Sequence, residues 1–151
     1  KGKYMSTLAF SSIGSKFWLS AGVPATIDAA GFGALSYTEV KELTDIGMIG
    51  PEASVILHQP VSENTTYKLK GGRNNGTMDL KGARAPADPG QTLLIAAEAS
   101  NDPYAVKVEL QDGTFLYSQV LIMSYKTSIG NQGQITGFES KAEISGDIVT
   151  V

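Results

Sequence analysis

His58, the only histidine in the chain, is the first residue to test for chemistry. Nucleophilic or acid–base catalysis needs a histidine oriented by one partner and paired with a nucleophile. Val55-Ile56-Leu57-His58 reads as strand and supplies neither, so a structural or surface histidine is expected. Gly71-Gly72-Arg73-Asn74-Asn75-Gly76 has the glycine content of a phosphate cradle. A P-loop, however, ends in Gly-Lys-Ser/Thr and opens a helix, and here a strand pattern follows. The carboxylates allow a glycosidase pair in principle, but spacing alone shows no two facing each other. Asp28, Asp45 and Glu52 fall in loops without EF-hand spacing. Phe17 and Trp18 form a minimal aromatic pair, read as core or interface anchors rather than as a sugar platform. Asn64-Thr65-Thr66 and Asn75-Gly76-Thr77 match the glycosylation sequon, which means little without a secretory context. No catalytic, cofactor or metal residues are assigned, and the chain is expected not to be an enzyme.

Composition narrows the partners. The 151 residues carry 12 basic and 15 acidic side chains, a net charge of −3. Scattered cations on a mildly acidic chain do not make the clustered phosphate-binding surface that nucleic-acid grip requires. The absence of cysteine excludes a disulfide scaffold and a thiolate zinc site. Lys1 to Phe10 lacks the apolar core of a secretory signal, and no window reaches the ~20 apolar residues of a membrane span. Seventeen glycines imply many tight turns.

The elements that must carry these residues are mostly strands. The clearest helix signal is Asp88 to Ser100: Asp88 as N-cap, Pro89 in the first turn, Gln91 where a capping box needs an amide, and a stop before Pro103. Tyr104, Val106, Val108 and Leu110 alternate with polar residues, as do Phe138, Ala142 and Ile144 with Glu139, Lys141 and Glu143. Gln111-Asp112-Gly113-Thr114 reads as a hairpin turn. Thr66–Lys70 and Thr77–Lys81 read as a second hairpin around Gly71–Gly76, with Met78 and Leu80 inward. Further strands are expected at 16–19, 37–43, 53–61, 115–126 and 148–151. Residues 20–36 show no steady period and read as a long apolar loop or arm needing something to pack on. The expected fold is mainly β with one short helix at about 88–100, a β-sandwich or half-barrel of about seven or eight strands. The expected organisation is an N-terminal segment and arm, 1–36, followed by a sandwich domain, 37–151.

The order of several short motifs carries a resemblance. These are Pro24-Ala25-Thr26-Ile27-Asp28-Ala29-Ala30-Gly31-Phe32, Leu35-Ser36-Tyr37-Thr38-Glu39-Val40 and Asp45-Ile46-Gly47-Met48-Ile49-Gly50. Lys70-Gly71-Gly72, Asn74-Asn75-Gly76-Thr77, Asp88-Pro89-Gly90-Gln91, Asp112-Gly113 and Ile148-Val149-Thr150-Val151 follow. From about Thr26 to Val151 the chain resembles the major tail tube proteins of long, non-contractile-tailed (siphovirus-type) bacteriophages.

That resemblance implies a structural subunit of the virion tail, assembled in the host cytoplasm. It implies rings, usually hexameric, that stack into a hollow tube, each subunit adding its sheet to a ring-wide β-barrel. DNA passes through the lumen without specific binding. The partners implied are further copies of the chain, a tail-tip initiator, a tape measure protein and a terminator; no cofactor and no membrane is implied. The fold is similar to tube subunits of contractile tails and type VI secretion. In such a ring the arm gains a partner, making Phe17, Trp18, Val23, Pro24, Ile27, Phe32 and Leu35 interface candidates. A lumen wall should be polar without strong positive charge, so Lys107, Glu109, Glu139, Lys141 and Glu143 are lumen-facing candidates. The alternatives are a β-sandwich binding module (an adhesin or carbohydrate-binding domain) and a secretion-system tube subunit.

Overall fold

The computed structural model describes residues 8–151; residues 1–7 of the expected N-terminal segment lie outside the described residues. In chain order the elements are β1 (Lys16–Ser20), α1 (Ala29–Gly33), β2 (Thr38–Val40), β3 (Leu43–Asp45), β4 (Glu52–His58) and β5 (Tyr67–Asn74). β6 (Thr77–Ala83), α2 (Pro89–Ala99), β7 (Tyr104–Glu109), β8 (Phe115–Ser128) and β9 (Gly137–Thr150) complete it. Seven strands form one antiparallel sheet in the order β2-β1-β7-β8-β9-β6-β3, while β4 and β5 pair only with each other.

The alternating segments behave as their period requires. Val106 and Val108 of β7 face the core with Val120 and Ile122 of β8 and Phe138, Ala142 and Ile144 of β9. Phe17 and Leu19 of β1, Met78 and Leu80 of β6, and Leu94 and Ala97 of α2 complete it. Each of the larger of these side chains, taken from water, stabilises the fold by roughly 2 kcal/mol. β7 and β8 join through the Asp112-Gly113 turn, where Gly113 takes φ +92° and Thr114 N donates to Asp112 Oδ1.

The two edge strands of this sheet are neighbours in sequence. β2 and β3 are separated only by Lys41 and Glu42, so Val40 and Leu43 lie at most ~11 Å apart. The sheet therefore curls until its two margins meet at one corner, without closing, since β2 pairs with β1 and β3 with β6. The strand expected at 37–43 is broken at that corner, where Glu42 takes φ +64°.

Three further expectations are corrected. Two helices are present among the described residues: residues 20–36 are not one long loop but contain α1, capped by Asp28, whose carboxylate accepts from Gly31 N at 2.7 Å. The 66–81 hairpin does not form, because β5 pairs with β4 and β6 pairs with β9 and β3. The two final strand patterns are one strand, β9, interrupted between Ser145 and Val149 where its pairing to β8 shifts. β1 lies inside the sheet between β2 and β7.

Candidate assembly surfaces

Two surfaces stand out, one polar and one apolar. Directly paired residues of antiparallel strands share a face, and Lys107 pairs with Tyr117, Leu121 with Glu143. Together with the alternation along β8 from Gln119 to Ile122 and along β9 from Phe138 to Ile144, this puts Lys107, Glu109, Glu139, Lys141 and Glu143 on one face, away from α2. The sheet brings all five lumen-facing candidates together.

That face has two unlike halves. Over β1, β7 and β8 it is covered: Phe32 of α1 stacks on Tyr117 with ring centroids 5.6 Å apart, and Tyr37 OH donates to the Phe32 carbonyl at 2.9 Å. Burial beside Tyr117 pushes the Tyr37 phenol up to about 12. The Lys107 ammonium lies 4.4 Å from the Trp18 ring centroid, 5.1 Å from Tyr37 and 5.4 Å from Phe115. It is a cation held over aromatic faces, with its stem against apolar surface. Over β9 and β6 the face is open. Glu139 there sits between Lys81 and Lys126 in register, and Lys141 opposite Asp79, a pattern of opposite charges directly across the strands.

Most of the interface candidates are covered within the subunit itself. Phe17 is fully buried in the main core, and Phe32 is fully buried against Ala105 and Tyr117. Pro24 is buried, and Trp18 and Leu35 are half-buried. Only Val23 and Ile27 of the seven are exposed. Aromatic residues in a segment without a period signal burial, but not whether a neighbour or the chain's own sheet provides it.

The apolar surface is one the sequence patterns did not single out. β4 and β5 form a two-stranded ribbon standing off the sheet, with apolar side chains bare on both faces. Val55 and Leu57 share one face with Lys68 and Lys70; Ile56, Leu69 and Tyr67 share the other with His58. Leu57 is 57 % and Leu69 62 % exposed. At the tip Tyr67 OH donates to Glu63 Oε2 at 2.6 Å, and this bond raises the Tyr67 pKa. The His58 ring lies beside Tyr67, 6.3 Å between centroids, on this exposed ribbon. An isolated two-stranded hairpin is marginal in water, and exposed apolar strands invite pairing.

At the base of the hairpin a groove of about 860 Å³ opens, lined by Ile49, Leu116 and Ile148 together with Arg73, Asn74 and Asp147. It adjoins a second one of about 400 Å³ lined by Ile46, Leu110 and Asp45, with Ile49 common to both.

Solved structures share this architecture at low sequence identity. A chain of the anti-feeding prophage baseplate superposes with a TM-score of 0.70 at 16% identity, covering 97% of this chain and 97% of that one. The fold is tail-tube-like. A chain from the tail of an empty gene transfer agent particle, refined with C6 symmetry, gives a TM-score of 0.68 at 12% identity, covering 93% of this chain and 97% of that chain. A chain from the sheath/tube terminator of an extracellular contractile injection system gives 0.66 at 8% identity, covering 95% and 96%. No protein-family model matches the chain, and no curated protein does. No helix among the described residues is long and apolar enough to cross a membrane.

Proposed function

We propose that this chain is the structural subunit of a tail tube, self-assembling into stacked, hexameric rings that form a hollow conduit, with no catalytic step and no cofactor. The observation that carries the reading is the β4–β5 hairpin. A ribbon with bare apolar side chains on both faces belongs to a protein completed by its neighbours, and the fold around it is shared with parts of tail-like particles. The six-fold symmetry of two of those particles supports a hexamer. In the bacteriophage form of this reading the tube belongs to the virion tail, is assembled in the host cytoplasm, and passes DNA. Its further partners are a tail-tip initiator, a tape measure protein and a terminator.

The open half of the polar face is the lumen wall in this proposal. Its alternation of Glu139, Lys141 and Glu143 with Lys81, Asp79 and Lys126 presents charge of both signs, so no cationic stripe retains a passing polyanion. Lys107, on the covered half of the same face, is held over three aromatic rings.

A second reading has a specific observation in its favour: two of the superposing chains come from an anti-feeding prophage and an extracellular contractile injection system. In this reading the chain is a secretion-system tube subunit that shares the architecture but not the virion. Negative-stain microscopy of concentrated protein tests the shared claim, and hollow rings or tubes are the expected result. A protein that stays monomeric both alone and with a tail-tip seed contradicts it. Glu139→Lys with Glu143→Lys then separates the readings. Tubes that form normally while genome delivery falls support the phage conduit, and unchanged delivery counts against it.

A further inference from the structure

We propose that Asn75 is the deamidation site of this chain, and that the fold guards it by engaging both nitrogens the reaction uses. An asparagine deamidates when the backbone nitrogen of the next residue, its proton lost to solvent base, attacks the side-chain carbonyl carbon. Ammonia leaves and a five-membered succinimide forms; water then opens the ring to aspartate or isoaspartate. A side chain on the following residue hinders the attack, and glycine has none. Asn75 is the one asparagine of the chain's five that precedes a glycine. It is half-buried, and with Gly76 it joins β5 to β6.

Each group the reaction needs is already held. The Gly76 N–H, which carries the attacking nitrogen, donates to Asn74 Oδ1 at 2.8 Å. Asn75 Nδ2, the leaving nitrogen, donates to the Gly146 carbonyl. The Gly76 carbonyl accepts from Ile144 N at 3.0 Å, with Gly76 at φ +87°. Two of these bonds tie the connection to β9, and the third holds it to itself. Attack requires the first two to break together, so its rate in the folded subunit follows how often the connection opens. The product does not fit back. An aspartate at 75 leaves the Gly146 carbonyl without its donor and adds a carboxylate to a groove that already holds Asp147. Isoaspartate also lengthens the backbone by one carbon inside the turn.

Peptide mapping by mass spectrometry, after incubation in mildly alkaline buffer, reads each conversion of amide to acid. In the urea-unfolded chain Asn75 should convert before the other asparagines. In the folded protein its conversion should be slower by about tenfold or more. Asn74→Ala removes the acceptor for the Gly76 N–H and should bring back most of the unfolded rate. Asn74→Asp keeps an acceptor oxygen and should stay slow. Another asparagine converting first in the unfolded chain would overturn the site. Equal rates folded and unfolded, or a folded Asn74→Ala no faster than the unaltered protein, would overturn the guard. The comparison of folded with unfolded chain uses unaltered protein, so it stands even where a variant fails to fold. As a second measurement, Asn75→Asp, the product made directly, should melt below Asn75→Ala. An equal or higher midpoint would show that the turn accepts the product, and would overturn the misfit.

Discussion

The side-chain amide of Gln91 donates to the carbonyl of Lys41 at 3.0 Å, across 50 residues of sequence. The same amide donates to Ala83 O at 3.0 Å, and its oxygen accepts from Ala85 N at 2.9 Å. Asp88, the α2 cap, accepts from Lys41 N at 2.9 Å. The helix N-terminus thus holds both backbone polar groups of Lys41, at the corner where the two margins of the sheet meet. A capping box would send the Gln91 side chain back to Asp88 N; that N–H instead donates to Ala85 O, which frees Gln91 to pin the corner.

Gln91→Ala should therefore destabilise the subunit by about 1–3 kcal/mol, since it strands part-buried backbone groups on three separate residues. Urea unfolding of the monomer measures it. A loss below about 0.5 kcal/mol would mean that water takes over these bonds and that the corner does not depend on Gln91.

Gly90 sits at the same corner for a steric reason. A Cβ there would lie 2.1 Å from Glu39 O and 2.6 Å from Val40 Cα, both backbone atoms that cannot rotate aside. Gly90→Ala, harmless to an isolated helix, should cost about 3 kcal/mol by forcing α2 off β2. Thermal unfolding checks it, and a higher midpoint would show that the close approach is relieved without loss.

Phe32 decides whether the 20–36 segment depends on its own subunit or on a neighbour. Fully buried against Tyr117 and Ala105, it should cost about 3–5 kcal/mol when truncated to alanine in the monomer. The exposed Ile27→Ala should stay within about 0.5 kcal/mol. Hydrogen exchange of residues 20–36 should accelerate in the Phe32 variant. Equal monomer stability for the two would return Phe32 to the interface.

Tyr37 gives the fold a pH limit on the alkaline side. Burial holds its phenol neutral up to about 12 against an ordinary value of 10. The shift is upward, so its contribution to stability is complete below pH 10 and lost as pH rises towards 12. A phenolate absorbance titration should show a late step among the six tyrosines, absent in Tyr37→Phe. If the step persists in that variant, another phenol is responsible.

Much of this was legible in the sequence, because local chemistry specifies local structure. Asp88, Pro89 and Pro103 bracket a helix wherever they stand in this order, and α2 runs from Pro89 to Ala99. Alternation along 104–110 and 136–144 assigns side chains to faces without knowledge of any partner. Hence Val106, Val108, Phe138 and Ala142 are buried, and the five polar candidates share the other side. The Asp112-Gly113 turn joins the strands around it because its two arms are adjacent in sequence.

Pairing between distant strands has no such local signature, and there tertiary structure decides. Thr66–Lys70 and Thr77–Lys81 alternate as two arms of a hairpin would. Yet Met78 and Leu80 are buried beside β9 in the main core, and β5 is left to pair with β4 outside it. The loss of that pairing creates the exposed ribbon and the groove at its base. Likewise the sequence marks Phe17 and Phe32 as residues that must be buried, because leaving them in water is costly. Which surface buries them depends on where β1 and α1 meet the sheet, a long-range contact that no run of neighbouring residues encodes.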